Sequence, residues 1–225
     1  MLIFAGLGNP GPKYAGNRHN IGYMALDRIA ADHGFAPWRG KFQSSLSEGR
    51  LGSAKVLLIK PESFMNTSGQ PVGEAMRFYK LDAQDIIVFH DELDLAPGKT
   101  RVKEGGGHAG HNGLRSLHQH IGPDYARVRL GIGHPGHKDR VSGYVLSDFA
   151  KADEAWLDDL LRGLSDGAPE LAAGRHDKFL NAVSLRTAPP RSSKSEPKAR
   201  PSVRTEEPPR EEHRSPLQKL INKFR

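Results

Sequence analysis

Residues 105–113 read Gly-Gly-Gly-His-Ala-Gly-His-Asn-Gly, and no other stretch so narrows what this chain can become. Glycines and one alanine leave little side chain to pack. Such a segment is either a flexible turn or a loop whose backbone passes close to something else. Leu114, Leu117 and Ile121 follow at helical spacing. The loop therefore runs into a helix whose first turn holds Asn112 and Gly113. Free N–H groups at a helix start favour an anion or an oxygen-rich ligand. His108, His111 and Asn112 stand at that mouth. On this window alone a solvated turn with incidental histidines remains open, because Gly-rich loops are weak motifs.

The rest of the chain sets this loop among strands and helices. Residues 1–7 form a short apolar run ending at Gly8-Asn9-Pro10-Gly11, which reads as a buried strand and a turn. Lys13 and Tyr14 fall in the loop. Arg18-His19-Asn20 precedes Ile21, Met24, Ala25 and Ile29, whose spacing places His19 near a helix start. Two strands span residues 42–60 and stop at Pro61. A loop follows, carrying Phe64 and Met65 beside Asn66, with core packing as the plain alternative for the first two. A helix covers 71–79. The apolar run at 86–89 is a further buried strand, with His90-Asp91-Glu92-Leu93-Asp94 at its end. Open α/β sheets place ligands at the carboxyl ends of central strands. Residues 99–103 and 125–132 alternate as strands, the latter ending at Gly133-His-Pro-Gly136. Periodicity gives helices at 140–146, 153–164 and 169–185. The expected fold is α/β: a single domain over residues 1–186, with a mixed twisted β-sheet flanked by helices on both faces.

A disordered C-terminal extension completes the expectation. Residues 187–214 are basic, Pro-rich and almost free of apolar side chains, and cannot bury enough surface to offset chain entropy. Residues 215–225 carry Leu217, Leu220, Ile221 and Phe224 on one stripe, a short amphipathic helix that folds against a partner or an acidic surface, or else a frayed tail. Of 33 basic and 26 acidic residues, ten and five fall in 187–225, leaving 23 and 21 in the domain. Any nucleic-acid affinity of the domain must then come from a local patch. There is no apolar run of spanning length, no basic-flanked leader and no cysteine, so a soluble cytoplasmic protein without disulfides or thiolate chemistry is expected.

Asn9, Asp91, Asn112 and His134 stand where strand ends would deliver them to one rim, with His19, Asn66 and His111 near in sequence. No nucleophile elbow, P-loop or HExxH motif is present. Histidine is suited to proton transfer near neutral pH, and a carboxylate on its second nitrogen fixes the tautomer. With no serine or cysteine in place, water would attack, positioned by asparagine amides that also polarise a carbonyl. That describes hydrolysis of an activated acyl compound, such as an ester, without a covalent intermediate. Two rival readings stay open. One is a metal-dependent hydrolase using His108, His111 and Asp91 or Asp94, although ligands usually come from stiffer elements than a glycine loop. The other is a non-catalytic RNA-binding module with Lys103, Arg127, Arg129 and Lys138 on phosphates.

Taken together, Gly6-Leu-Gly-Asn-Pro-Gly11, Tyr14, Arg18-His-Asn-Ile-Gly22, Lys60-Pro, Phe64-Met-Asn-Thr-Ser-Gly69, His90-Asp-Glu-Leu-Asp94, Gly105 through Leu114, and Arg129-Leu-Gly-Ile-Gly-His-Pro135 resemble bacterial-type peptidyl-tRNA hydrolase. The resemblance runs over residues 1–186 with the motifs in order. It implies a monomeric α/β enzyme without a cofactor. Such an enzyme cleaves the ester between a peptide and the acceptor end of its tRNA, recycling tRNA from abandoned or stalled ribosomes. It implies His19 as the general base and Asp91 as its orienting carboxylate. Asn66 and Asn112 would hold the substrate end, its water or the developing oxyanion. Asn9 would bond the peptide backbone, while Tyr14, Phe64, Met65 and His111 would line the cleft. Lys103 and Arg129 would hold a tRNA phosphate. Ala109 stands where glycine is common, a small change unless its φ is positive. Glu104 follows Lys103 and would weaken a phosphate contact if it faced the same way. The extension beyond 186 has no counterpart in the resemblance. Its positive charge suggests contact with tRNA, rRNA or the ribosome.

Overall fold

Strand alternation sorts apolar side chains onto two faces of one sheet, and helices close over each. The computed structural model describes residues 1–188; the expected linker beyond 188 and the expected helix at 215–225 lie outside the described residues. The strands are β1 (Leu2–Gly6), β2 (Arg39–Lys41), β3 (Ser44–Leu51), β4 (Ala54–Pro61), β5 (Ile86–Glu92), β6 (Thr100–Glu104) and β7 (Ala126–Gly131). They form a seven-stranded mixed sheet in the order β2-β3-β4-β1-β5-β7-β6. The inner strands β4, β1, β5 and β7 are parallel, and the flanking pairs β2–β3, β3–β4 and β6–β7 are antiparallel.

Ile3, Ala5, Leu57, Ile59 and Val88 point to one face and meet Val72, Leu114 and Leu117. These last come from α2 (Gly69–Phe78) and α3 (Asn112–Ile121). Phe4, Val56, Leu58 and Phe89 point to the other face and meet Ile21, Ala25, Leu164 and Phe179. These come from α1 (Ile21–Asp32), α5 (Glu154–Ala172) and α6 (His176–Thr187). The expected α/β fold with helices on both faces is the one found. A short helix, α4 (Val141–Val145), lies near the carboxyl ends of the strands' rim.

Two elements differ from expectation. β2 adds an edge strand that its short, exposed Arg-Gly-Lys sequence did not signal. The predicted break between helices near residue 165 is absent: α5 runs unbroken through Pro169. Proline there removes the N–H that would bond the carbonyl four residues earlier, that of Ser165. The imidazole of His33 supplies the missing donor, with Nε2 2.8 Å from that carbonyl oxygen. The helix instead ends before Gly174, which has φ 73°.

One glycine sets how closely α1 meets the sheet. A Cβ on Gly22 would stand 2.4 Å from the Phe89 carbonyl oxygen and 2.6 Å from the Leu7 nitrogen. Only glycine lets the first turn of α1 press on the ends of β1 and β5. That contact brings the residues just before α1 to the end of β5.

Candidate active site

Asp91 lies inside β5, which extends three pairs beyond the expected strand, His90 opposite Arg129, Asp91 opposite Leu130 and Glu92 opposite Gly131. Its carboxylate is buried, and a single oxygen, Oδ1, receives two imidazoles: Nδ1 of His19 at 2.8 Å and Nε2 of His111 at 2.9 Å. His19 comes from the turn before α1. His111 is the N-cap of α3, and its Nδ1 accepts the N–H groups of Gly113 at 3.1 Å and Leu114 at 3.4 Å. An Nδ1 that accepts carries no proton, so His111 donates to Asp91 through Nε2. Nε2 of His19 makes no hydrogen bond within the described residues.

Electrostatics follow from this pairing. Burial alone would lower the His19 pKa, but the Asp91 charge and its hydrogen bond together raise it above the ordinary 6.5. Burial works to raise Asp91, and the two imidazoles overcome it, holding the carboxyl well below its ordinary range. Burial drives His90, beneath them, down to about 3. It is neutral, with Nδ1 donating to the Asp91 carbonyl at 2.8 Å.

A cleft of about 950 Å³ opens above this trio, lined by Asn9, Tyr14, His19, Phe64, Asn66 and Asn112 among others. Asn9 is held from three sides. Its Oδ1 accepts the Met65 N–H at 2.8 Å, its own N–H donates to Asn20 Oδ1 at 2.9 Å, and its carbonyl accepts Asn20 Nδ2 at 2.9 Å. Because Met65 N–H is a donor, the asparagine must present its NH2 elsewhere, and within the described residues that group has no partner. Asn66 and Asn112 are exposed, one in the turn before α2 and the other at the first position of α3. Met65 is buried in the core as well as bordering the cleft, whereas Phe64 stands 61% exposed at the rim.

The glycine loop owes its shape to a buried cation. Arg127 is 2% exposed and donates to the Gly107 carbonyl at 2.7 Å and to the Gly106 carbonyl. It also donates to His118 Nε2 at 3.0 Å. The expectation of Arg127 on a phosphate is therefore corrected: the loop covers the face it points to and consumes its donors. Arg129 pairs with Glu92 through Nε at 2.8 Å. Lys103 is exposed at the cleft, opposite Arg127 across the β6–β7 pair. Glu104, next along β6, lies on the opposite face from Lys103. Ala109 has φ 46°, in the left-handed region where glycine costs least.

The other expected positions separate from the trio. His108 borders the cleft but joins neither Asp91 nor His111; its Nδ1 accepts the Gly110 N–H at 3.1 Å. Asp94 is exposed in the following turn, and exposed His134 caps its own turn through the Gly136 N–H at 3.0 Å. Among the described residues the metal-capable group is His19, Asp91 and His111, with ligand atoms within 4.8 Å of one another. The set expected from His108 is thus corrected, and the atoms that could ligate are already bonded to each other. Sequence reasoning missed Asn20, His90 and Arg18. Each carried one signal, adjacency: Arg18 and Asn20 to His19, and His90 to Asp91.

The family model described as "Peptidyl-tRNA hydrolase" matches residues 3–192. Among curated proteins, peptidyl-tRNA hydrolase from Dinoroseobacter shibae is 72% identical and that from Jannaschia sp. 68%, each match covering all of both chains. The solved structure of peptidyl-tRNA hydrolase from Acinetobacter baumannii is 38% identical, with TM-score 0.77, over 81% of this chain and 94% of that one.

Proposed function

The chain belongs to the peptidyl-tRNA hydrolase family and hydrolyses the ester that joins a peptide to tRNA, and we propose that His19 is the base that performs it. One observation carries the assignment. Two imidazoles share Asp91 Oδ1, but His111 spends its other nitrogen on the start of α3, so only His19 keeps a lone pair facing the cleft. Water bonded to His19 Nε2 loses its proton as it attacks the ester carbonyl. The imidazolium that forms is stabilised by the buried Asp91 charge. The exposed amides of Asn66 and Asn112 are placed to donate to the developing oxyanion or to hold the water. The proton then passes from His19 to the departing ribose oxygen, which leaves with the tRNA.

The NH2 of Asn9 donates to a peptide carbonyl, an acceptor that a free aminoacyl ester lacks; its fixed orientation supports that role. Tyr14, Phe64, Met65 and His111 form the walls. Lys103 and Arg129 take a phosphate of the acceptor stem. The substrate is peptidyl-tRNA released early from translation or stranded on stalled ribosomes. The net positive charge of residues 187–225 adds nonspecific affinity for tRNA or rRNA. No described helix is long and apolar enough to cross a membrane. Release of an N-blocked amino acid from labelled tRNA, with and without EDTA, tests the base assignment. His19→Ala should abolish release with tRNA binding retained, and EDTA should leave the wild-type rate unchanged. Near-normal kcat in His19→Ala, or inhibition by EDTA, would overturn it.

A further inference from the structure

The turn from Asn17 to Asn20 touches three separate parts of the site. Asn20 holds Asn9, His19 holds Asp91, and the two residues before them hold the opposite wall of the cleft. That wall is the segment 138–149, from which Lys138, Val141, Ser142, Val145 and Leu146 line the cavity. Its far end is fastened by Arg18. The guanidinium donates to Ser147 Oγ at 2.8 Å, to the Ser147 carbonyl at 3.3 Å and to the Asp148 carbonyl at 2.6 Å. It pairs with Asp153 Oδ2 at 3.0 Å, and its side chain is 12% exposed. It also lies over the Tyr144 ring, 4.5 Å from the centroid, and near Phe149 at 5.3 Å. Asn17 adds an antiparallel bridge to Asp148 and a bond from Nδ2 to Asp148 Oδ1 at 2.7 Å.

We infer that Arg18 is a positioning residue, fixing the 138–149 wall to the turn that carries His19, so that ester, water and imidazole meet in one geometry. Both of its terminal nitrogens donate to protein, and it sits one residue from the base. Only a planar fork on an aromatic face can satisfy three oxygens and a carboxylate at once. A small displacement of a cleft wall loosens the reacting atoms, and losses of tenfold to about a hundredfold follow from such displacements. The inference rests on His19 being the base, and the experiment separates the two.

Arg18→Gln is assayed for release of N-acetyl-aminoacyl groups from tRNA, with His19→Ala alongside and melting curves on every variant. A staple then replaces the arginine: Asn17→Cys with Asp148→Cys in the Arg18→Gln background. Bridged antiparallel residues lie about 4.5–5.5 Å apart at Cα, within disulfide range, and no other cysteine is present in the chain. The expected result is a folded Arg18→Gln enzyme with kcat down at least about tenfold and KM changed less. Oxidising the staple should restore most of that loss, and dithiothreitol should remove the gain. A kcat within about twofold of wild type, or an oxidised staple that restores nothing, overturns the role of Arg18. If His19→Ala keeps turnover, it is the base assignment that falls instead.

Discussion

Asp91→Asn keeps the shape of the side chain and its Oδ1 acceptor while removing the charge. In the native site that oxygen lies 2.8 Å from His19 Nδ1 and is buried from solvent. The separation between carboxylate and imidazolium charge centres is then about 4 Å, and at an effective dielectric of about 20 their attraction is about 4 kcal/mol. This attraction acts when the imidazolium forms, so nearly all of it raises the barrier when lost. The expected fall in kcat is about a thousandfold. The pH profile moves as well. His19 works as a base only when neutral, so the rate falls as pH drops through its pKa. In the native enzyme the Asp91 charge and hydrogen bond outweigh burial, and that limb lies above 6.5. Without the charge, burial dominates and the limb moves to lower pH. Initial rates of release from N-acetyl-aminoacyl-tRNA across the acid to neutral range, under saturating and subsaturating substrate, measure both effects. A variant within about tenfold of wild type, or an acid limb that does not move, would refute the reasoning.

Three further outcomes are expected. Lys103→Ala should raise KM, leave kcat nearly unchanged and reduce the slope of log KM against log salt by about one, as the loss of one phosphate contact requires. Ala109→Gly should stabilise the fold by up to about 1 kcal/mol in urea titration, because relief at φ 46° exceeds the entropy glycine adds to the unfolded chain. His33→Ala should cost about 1–3 kcal/mol by leaving the buried Ser165 carbonyl without a donor; Pro169→Ala in that background should recover stability, which chemical denaturation of the double variant checks.

Every strand but β2, the glycine loop leading into α3 and the polar end of β5 were legible because each is a local pattern. Periodicity also placed His19 at a helix start. What the sequence hid were partners distant in the chain. Pro169 predicts a break unless one knows that His33, far away, bonds the orphaned carbonyl. Arg127 alternates with apolar neighbours as a surface residue would, and nothing local reveals that residues 106 and 107 fold over it. His108 and His111 have equal claims on paper. The helix start decides between them, because it turns His111 toward Asp91 and leaves His108 on the loop. Arg18 reads as a charge flanking a histidine; its partners at 147, 148 and 153 belong to another part of the chain.

Asp91 sits between two helical layers that reach it from opposite faces of the sheet: His19 arrives with α1 and His111 with α3. An intermediate in which one layer has docked and the other has not holds at most half of the proton-transfer apparatus. During refolding, enzymatic activity should thus emerge after helical content and after burial on either single face, as the closing event of assembly. A nascent or partly denatured copy is chemically silent toward its substrate, so hydrolysis itself reports that the whole sheet has been enclosed.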